Sequence, residues 1–598
     1  MVYYFGRNCE DYRAMNFVIK DISIMIAGYA GDGVLFTGNV LGKILKRHDW
    51  EVATYRNFPS NIRGEATNYT IRASHEKIYG QGDIIDVLMA FDCDAILRHI
   101  RSLAPNGIVL CEGRETESLR PSQARGKTFH KFPMKELALK KFKSELYKNS
   151  ILLGGLCYIL NLDFQVIARI MSEAFLERKG KDVVENNVRA VNLGCEQAKI
   201  IVGEHGRHTL IERPDKGRLF LSGNEAIALG ALAAGCRFFA AYPICPASEI
   251  WQWLVNYFPE FNGLVVQAED EIAALNMALG ASFAGARAMT STSGPGASLM
   301  MESFSLAGMA EIPVVVAHVQ RAGPSTGLPT KPEQSDLNLW VFGSHGDFPR
   351  IVLSPGTIEE LFEFTITAFN LADKYQCPVI VLTEQNYGQN YFTVDNFDLS
   401  DVHIDRAMLL SQEELLKIQD FKRYEFTRNG ISPRAIPSMT NGVHLVESVE
   451  HDERGYRDEN PDIRVRMMEK RMKKLKGALQ DLIPPKFFGK KEARVGVIGF
   501  GSTIGPIREA LSQLDEKGID AKYLQIRTLW PFHAKIVERF MASCEYIFVV
   551  ENNFSGQLSA LIQGQGVECS RVIKVNKYSG HTFMPVDISA AIVEALKR

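Results

Sequence analysis

Three turns in residues 264–336 carry residue types suited to chemistry, and each turn follows an apolar run. LVVQAEDE (264–271) ends in three acids, Glu269, Asp270 and Glu271. A carboxyl held in an apolar pocket has a raised pKa and can exchange a proton with a ligand near neutral pH. TSTSGPGAS (290–298) offers the hydroxyls of Thr292 and Ser293, and Gly294 and Gly296 let backbone approach a ligand closely. PVVVAHVQ (313–320) leads into Arg321, whose planar guanidinium suits two-pronged recognition of a carboxylate. Each feature also has a plainer reading. Acids enrich the first turn of helices, which accounts for Asp270 and Glu271. Ser/Gly turns are common, and an arginine at a strand end can serve a structural ion pair. The grouping marks this end of the sheet as a ligand site, because open α/β sheets place ligands beyond the carboxyl ends of their strands, and leaves the role of each residue open.

The elements that must position these residues form three strand–turn–helix blocks. The first is ISIMIA (22–27), then GYAGDG (28–33) and the helix-like VLFTGNVLGKILKR. Backbone amides around Gly28, Gly31 and Gly33 can cradle a phosphate at the helix start, or the turn can simply be tight. The second block holds the three turns above and PVIVLTE (378–384). The third starts at RVGVIGFGS (494–502) and continues through AKYLQI and YIFVV. This alternation predicts an α/β chain of three domains with parallel sheets. HGRHTLIERPDKGR (205–218) reads as a linker. Residues 396–491 read as a connecting region, turn-rich at first and a charged helix from about Pro461.

Bulk properties narrow the function class. A net charge of −2 argues against a general nucleic-acid binder. No apolar run reaches the roughly 18–20 residues of a membrane span, and no signal peptide is visible at the N-terminus, so a cytoplasmic protein is expected. The ten cysteines are scattered with no CxxC spacing, which predicts no iron–sulfur cluster and no structural zinc here.

From about residue 20 to its end the chain resembles a γ–α fusion of the 2-oxoacid:ferredoxin (acceptor) oxidoreductases, of the 2-oxoglutarate type. The resemblance rests on QAEDEIAALNMALG (267–280), TSTSGPGAS, VQRAGPSTGLPTKPEQSDL (319–337), AAYPICPASEI (240–250), IRTLWPF (526–532) and VVENNFSGQL (549–558). It also includes YRNFPSNIRGEATNYTIRAS (55–74), which is similar to the family's γ domain. It implies an N-terminal extension (1–20), a Rossmann-like γ domain (21–204), the linker, and a thiamine diphosphate pyrimidine-binding domain (219–395). The connecting region (396–491) and a domain like the C-terminal domain of transketolase (492–598) follow.

The implied reaction is coenzyme A-dependent oxidative decarboxylation of 2-oxoglutarate or a related 2-oxoacid, with reduction of ferredoxin. Glu269 is the acid the resemblance picks to hydrogen-bond the aminopyrimidine, with Glu271 next in line. Thr292, Ser293, Gly294 and Gly296 form the cofactor turn. Arg321 is the ligand for the substrate carboxylate, Cys245 stands where the family has a substrate-contacting Thr, and Thr326 and Lys331 reach the distal end of a dicarboxylate. His345 is a weaker candidate. The γ domain, with Gly28, Gly31 and Gly33, is associated with coenzyme A or subunit contacts.

Gly31-Asp32-Gly33 followed by Asn57 and Asn61 imitates a thiamine–magnesium motif, and the γ-domain context makes that a coincidence. Mg²⁺ and a [4Fe–4S] cluster are expected on a separate β subunit, in an (αβ)₂ heterotetramer served by ferredoxin, with no metal on this chain. Two departures stand out. Glu65 replaces the second Gly of the family's IRGG, and Cys245 supplies a weaker donor than a hydroxyl, which leaves the choice of 2-oxoacid open. Two rival readings are a non-redox thiamine enzyme subunit and a non-catalytic scaffold that binds coenzyme A or a partner.

Overall fold

The computed structural model describes residues 17–60, 64–112, 126–203, 208–210 and 215–597. Residues 1–16 of the expected extension, Asn61, and residues 204–207 and 211–214 at the expected linker lie outside these. The chain divides into two units, Met1–Phe220 with Tyr391–Asn396, and Leu221–Asn390 with Phe397–Arg598.

The first unit is built on an eight-stranded sheet ordered Thr128–Lys131, Leu103–Cys111, Ile85–Ala90, Asp21–Tyr29, Ala66–Ser74, Glu51–Asn57, Tyr391–Val394, Leu219–Ser222. The first four strands are parallel, as expected. The next pairings are antiparallel, so this sheet is mixed rather than parallel. The cause is chain length. Only residues 58–65 join Glu51–Asn57 to Ala66–Ser74, fewer than the dozen or so that a parallel crossover needs. Tyr391–Val394 also joins this sheet through Phe392 and Ala53, although its sequence neighbours belong to the second unit. Within the expected linker, His208–Leu210 is a strand, parallel to Phe17–Ile19. The helix Val34–Arg47 packs on the sheet through Leu41, Ile44 and Leu45, and the helix Lys148–Ile159 joins the same core through Ile151 and Leu152, packed closely on the helix Lys181–Val202.

The second unit holds two sheets. The larger is ordered Leu264–Gln267, Cys236–Ala241, Arg287–Thr292, Val314–Gln320, Pro378–Glu384, Ile351–Leu353, Thr528–Trp530. Its strands are parallel except the last, which is antiparallel and comes from the C-terminal segment. The smaller sheet, Lys486–Gly489, Ala521–Ile526, Val495–Phe500, Tyr546–Glu551, Val572–Asn576, is parallel apart from its first strand. One apolar core serves both, running from Val316, Ile380 and Leu382 to Phe500, Leu524 and Ile526.

The connecting region is fastened to the larger sheet by buried ions. Asp373 pairs with Arg287 (2.9 Å), Arg406 (2.9 Å) and Arg434 (2.5 Å). Glu311 pairs with Lys470 (2.6 Å) and Lys474 (2.5 Å) of the helix Pro461–Ala478. Burial alone would raise the Glu311 carboxyl, and the two ammonium groups instead hold it well below the usual range. That helix starts at Pro461, as the sequence predicts, and the Asn460 side chain caps it. Among the described residues no helix is long and apolar enough to cross a membrane.

Candidate active site

Chain order in the larger sheet reverses at Cys236–Ala241. The strand that follows it, Leu264–Gln267, lies on one side, and Arg287–Thr292 and its successors lie on the other. A crevice at the carboxyl ends of the strands beside such a switch is where α/β sheets bind ligands. The register brings Ala241 beside Gln267 and Thr292 beside His318. The segments around Cys245, Glu269–Glu271, Ser293 and Arg321 therefore all leave the sheet at this end.

Capping decides which acid turns inward. The Asp270 side chain accepts the Ala273 backbone N–H (2.7 Å), so Asp270 is the N-cap of the helix Glu271–Phe283. Glu271 becomes the first helical residue, on the face it shares with buried Ala274, Leu275, Ala278, Leu279 and Ser282. It is only 4% exposed, whereas Glu269, in the loop before the cap, is exposed. Burial raises the Glu271 carboxyl and Asp270 adds to the rise, while Arg321 pulls the other way.

The glycine turn packs directly on Glu271. A Cβ on Gly296 would overlap both Glu271 Oε1 and Thr292 Oγ1, so glycine is required there. A Cβ on Gly294 would stand 3.2 Å from Asp336 Oδ2. Asp336 is itself held by His318 Nε2 (2.8 Å), and its backbone N–H donates to Gln320 Oε1 (3.0 Å). Thr292 and Ser293 are fully buried, and Ser293 Oγ has no hydrogen-bond partner.

Arg321 is 6% exposed and donates one bond, from Nη1 to the Cys245 carbonyl (2.6 Å). Its Nε is buried without a partner. Burial lowers its pKa, and Cys245, Asp336 and Glu271 oppose that. The Cys245 loop is fixed from behind. Asn224 Nδ2 donates to the Pro246 carbonyl (2.8 Å), and Gln389 Nε2 bonds Glu249 Oε1 (3.3 Å) and lies 4.0 Å from Cys245 Sγ.

The loop after Arg321 turns back on itself, with Ala322 N–H donating to the Lys331 carbonyl (3.0 Å). Thr326 is exposed at its tip, and His345 is exposed further on. Lys331 is half-buried, its stem against Gly580, where an added Cβ would stand 3.3 Å from Lys331 Cβ. Sequence reasoning missed Asn224, Gln334, Asp336 and His318. Gln334 and Asp336 lie within the quoted motif, but nothing local to it distinguishes them.

In the first unit, Gly31 (φ 106°) and Gly33 (φ 83°) adopt left-handed backbone that favours glycine. A Cβ on Gly33 would overlap the Asn149 side chain, and one on Gly28 would stand 3.0 Å from Phe91 Cβ. Asp32 is engaged by the Tyr29 N–H (2.9 Å) and Lys148 Nζ (2.7 Å). Gly28, Gly33 and Asp32 thus build a tightly packed βα turn, to which Gly31 contributes its left-handed backbone alone, with open space where a Cβ would stand.

Comparison with known proteins agrees across the chain. Residues 229–470 match the family described as pyruvate flavodoxin/ferredoxin oxidoreductase, thiamine diphosphate-binding. Residues 23–197 match pyruvate ferredoxin/flavodoxin oxidoreductase, and residues 493–588 match pyruvate:ferredoxin oxidoreductase core domain II. The α subunit of 2-oxoacid:ferredoxin oxidoreductase 2 from Aeropyrum pernix is 31% identical over 96% of this chain and 98% of that protein. The 2-oxoglutarate synthase subunit KorA of Methanocaldococcus jannaschii is 35% identical over 62% of this chain and 99% of its own length. A solved structure of 2-oxoglutarate:ferredoxin oxidoreductase from Magnetococcus marinus, with 2-oxoglutarate, coenzyme A and succinyl-CoA bound, superposes with a TM-score of 0.90 at 36% identity, covering 96% of this chain and 99% of that one. With a relative above 30% identity along nearly its whole length and the three large sheets accounted for, this chain belongs to the α subunits of the 2-oxoacid:ferredoxin oxidoreductases, with a γ-type domain fused at its N-terminal side.

Proposed function

We propose that this chain is the α subunit, with fused γ domain, of an enzyme that converts a 2-oxoacid, 2-oxoglutarate preferred, and coenzyme A to an acyl-CoA and CO₂ while reducing ferredoxin. The observation that carries this is the pairing of a buried acid, Glu271, seated on the Gly296 turn, with a buried guanidinium, Arg321, that has an unpartnered Nε. The residues fit the aminopyrimidine end of thiamine diphosphate. Glu271 rather than Glu269 is assigned the ring-nitrogen hydrogen bond, because only Glu271 combines burial, a raised carboxyl and contact with the turn. When bound, the cofactor supplies a carbon nucleophile and an electron sink for decarboxylation. Glu271 holds or releases a proton at its Oε atoms, and Ser293 Oγ and the Gly294–Gly296 backbone line the turn. Arg321 orients the 2-oxoacid through its carboxylate, with Cys245 at the same mouth. Lys331 and Thr326 are assigned the distal carboxylate.

The diphosphate, Mg²⁺ and the [4Fe–4S] cluster are assigned to a β subunit, in an (αβ)₂ assembly in the cytoplasm. Exposed Tyr242, Ile272, Leu299 and Leu328 support a partner at this face, since they stand on four segments that leave the sheet around the crevice. The γ domain, with Gly28, Gly31 and Gly33, is assigned to coenzyme A or subunit contacts. Co-purification with the partner and assay of a 2-oxoacid panel with a viologen dye tests the reading. The complex should contain iron and reduce the dye only with coenzyme A present, and the isolated chain should do neither. Turnover by an iron-free isolated chain would overturn it.

A further inference from the structure

Gln334 is fully buried between the two sheets of the second unit, and every polar group it has is used. Its backbone N–H donates to the Asn552 carbonyl (2.7 Å), and its Oε1 accepts the Asn552 N–H (3.0 Å). Its Nε2 donates to Glu384 Oε1 (3.0 Å) and to the Phe500 carbonyl (2.9 Å), and its carbonyl accepts from Asn553 Nδ2 (3.1 Å). One residue on, the Ser335 carbonyl accepts from Gln557 Nε2 (2.7 Å). The other side of this junction is itself rigid. Buried Glu551 accepts from Asn553 Nδ2 (2.8 Å), Leu558 N (2.7 Å) and Ser559 N (3.1 Å).

Loop 321–336 thus has Arg321 at one end and Asp336 at the other, and the C-terminal segment grips it just before Asp336. The C-terminal segment's side of the grip is made of neutral amides and backbone groups, and the one ionisable partner of Gln334 is the Glu384 carboxyl at the end of its own strand. Removing the Gln334 side chain leaves the Asn552 N–H buried and unpaired, the costly outcome for a polar group, and takes one of two donors from the Phe500 carbonyl, which keeps Thr503 Oγ1 (2.7 Å). The loop would then open locally at lower free energy.

We infer that Gln334 is a positioning residue for the 2-oxoacid, through which the C-terminal domain holds loop 321–336 and so sets Arg321 and Lys331. This rests on the assignment of Arg321 to the substrate carboxylate. Gln334→Ala tests it from the loop side, and Asn553→Ala tests it from the C-terminal side should the first variant fail to fold. Two measurements apply: amide hydrogen exchange over residues 322–335 of the full chain, and KM for the 2-oxoacid and for coenzyme A in the complex with its partner. The expected result is faster exchange in the loop and a KM for the 2-oxoacid raised about tenfold, the scale of one lost hydrogen bond, with the KM for coenzyme A unchanged. Unchanged loop exchange overturns the inference. So does a joint fall in thermal stability and kcat with both KM values unmoved, which is what a purely structural residue gives. Arg321→Lys is the control: if it leaves KM and kcat unaltered, the assignment of Arg321 fails, and exchange alone then decides whether the C-terminal domain holds the loop.

Discussion

Replacing Glu384 by Gln should remove a pH-dependent loss of stability. Glu384 ends the strand Pro378–Glu384, is 1% exposed, and accepts the Ser502 N–H (2.6 Å) and Gln334 Nε2 (3.0 Å) on one oxygen. Its other oxygen has no hydrogen-bond partner. Burial pushes the carboxyl up to about 7, and the bonds from Ser502 and Gln334 recover only part of the cost. In the unfolded chain the group ionises near the ordinary value of about 4.3. Between these values the folded protein keeps a proton that the unfolded chain has released. Stability therefore falls as pH rises through this window, by about 1.4 kcal/mol per pH unit. The whole effect is on the order of 3 kcal/mol, complete above pH ~7 and absent below pH ~4. Urea unfolding of wild type and Glu384→Gln across pH 5–8.5 measures it. The stability difference, variant minus wild type, should grow up to neutrality and then level off. A difference constant over that range, or one that grows toward acid pH, would refute the reasoning.

Three further outcomes are expected. Asp373→Asn leaves two buried guanidiniums, of Arg287 and Arg434, and the partly exposed one of Arg406 without their carboxylate and should cost about 3–5 kcal/mol in urea unfolding; a loss below ~1 kcal/mol would show that the arginines find other partners. Gly296→Ala should fold yet lose nearly all turnover, because its methyl would sit on Glu271 Oε1 and Thr292 Oγ1, and retained activity would move the cofactor turn elsewhere. Arg321→Lys should lower kcat/KM for every accepted 2-oxoacid by about 2–3 kcal/mol, whereas Lys331→Ala should harm 2-oxoglutarate and spare pyruvate; uniform losses in both would remove the selectivity role of Lys331.

The strand–turn–helix pattern made the α/β class, the helix at Pro461 and the three turns around the crevice legible, because each depends on local order of residues. The identity of the inward acid was harder to read. Among the three acids of AEDE, the one on the helix's apolar stripe is Glu271, at spacings of three, four, seven and eight from Ala274, Leu275, Ala278 and Leu279. That periodicity was present in the sequence and outranks the position directly after QA. The mixed first sheet was also readable in principle, from the short link at residues 58–65. The addition of Tyr391–Val394 to that sheet was not, since its partner Glu51–Asn57 lies hundreds of residues away. Nor was the grip on Gln334, whose partners Phe500, Asn552 and Asn553 are equally remote.

The central claim is that a buried Glu271, seated on the Gly296 turn, serves the thiamine cofactor. Exchange of the thiazolium C2 proton for deuterium, followed by quenched-flow NMR in the complex with the partner subunit, tests it most directly. Glu271→Gln is near-isosteric and should leave the complex folded while slowing exchange by about 10²–10⁴-fold, the range for a positioned acid–base group. Glu269→Gln, altering an exposed side chain, should leave exchange close to wild type. Normal exchange in Glu271→Gln with slow exchange in Glu269→Gln would contradict the assignment and return the role to Glu269.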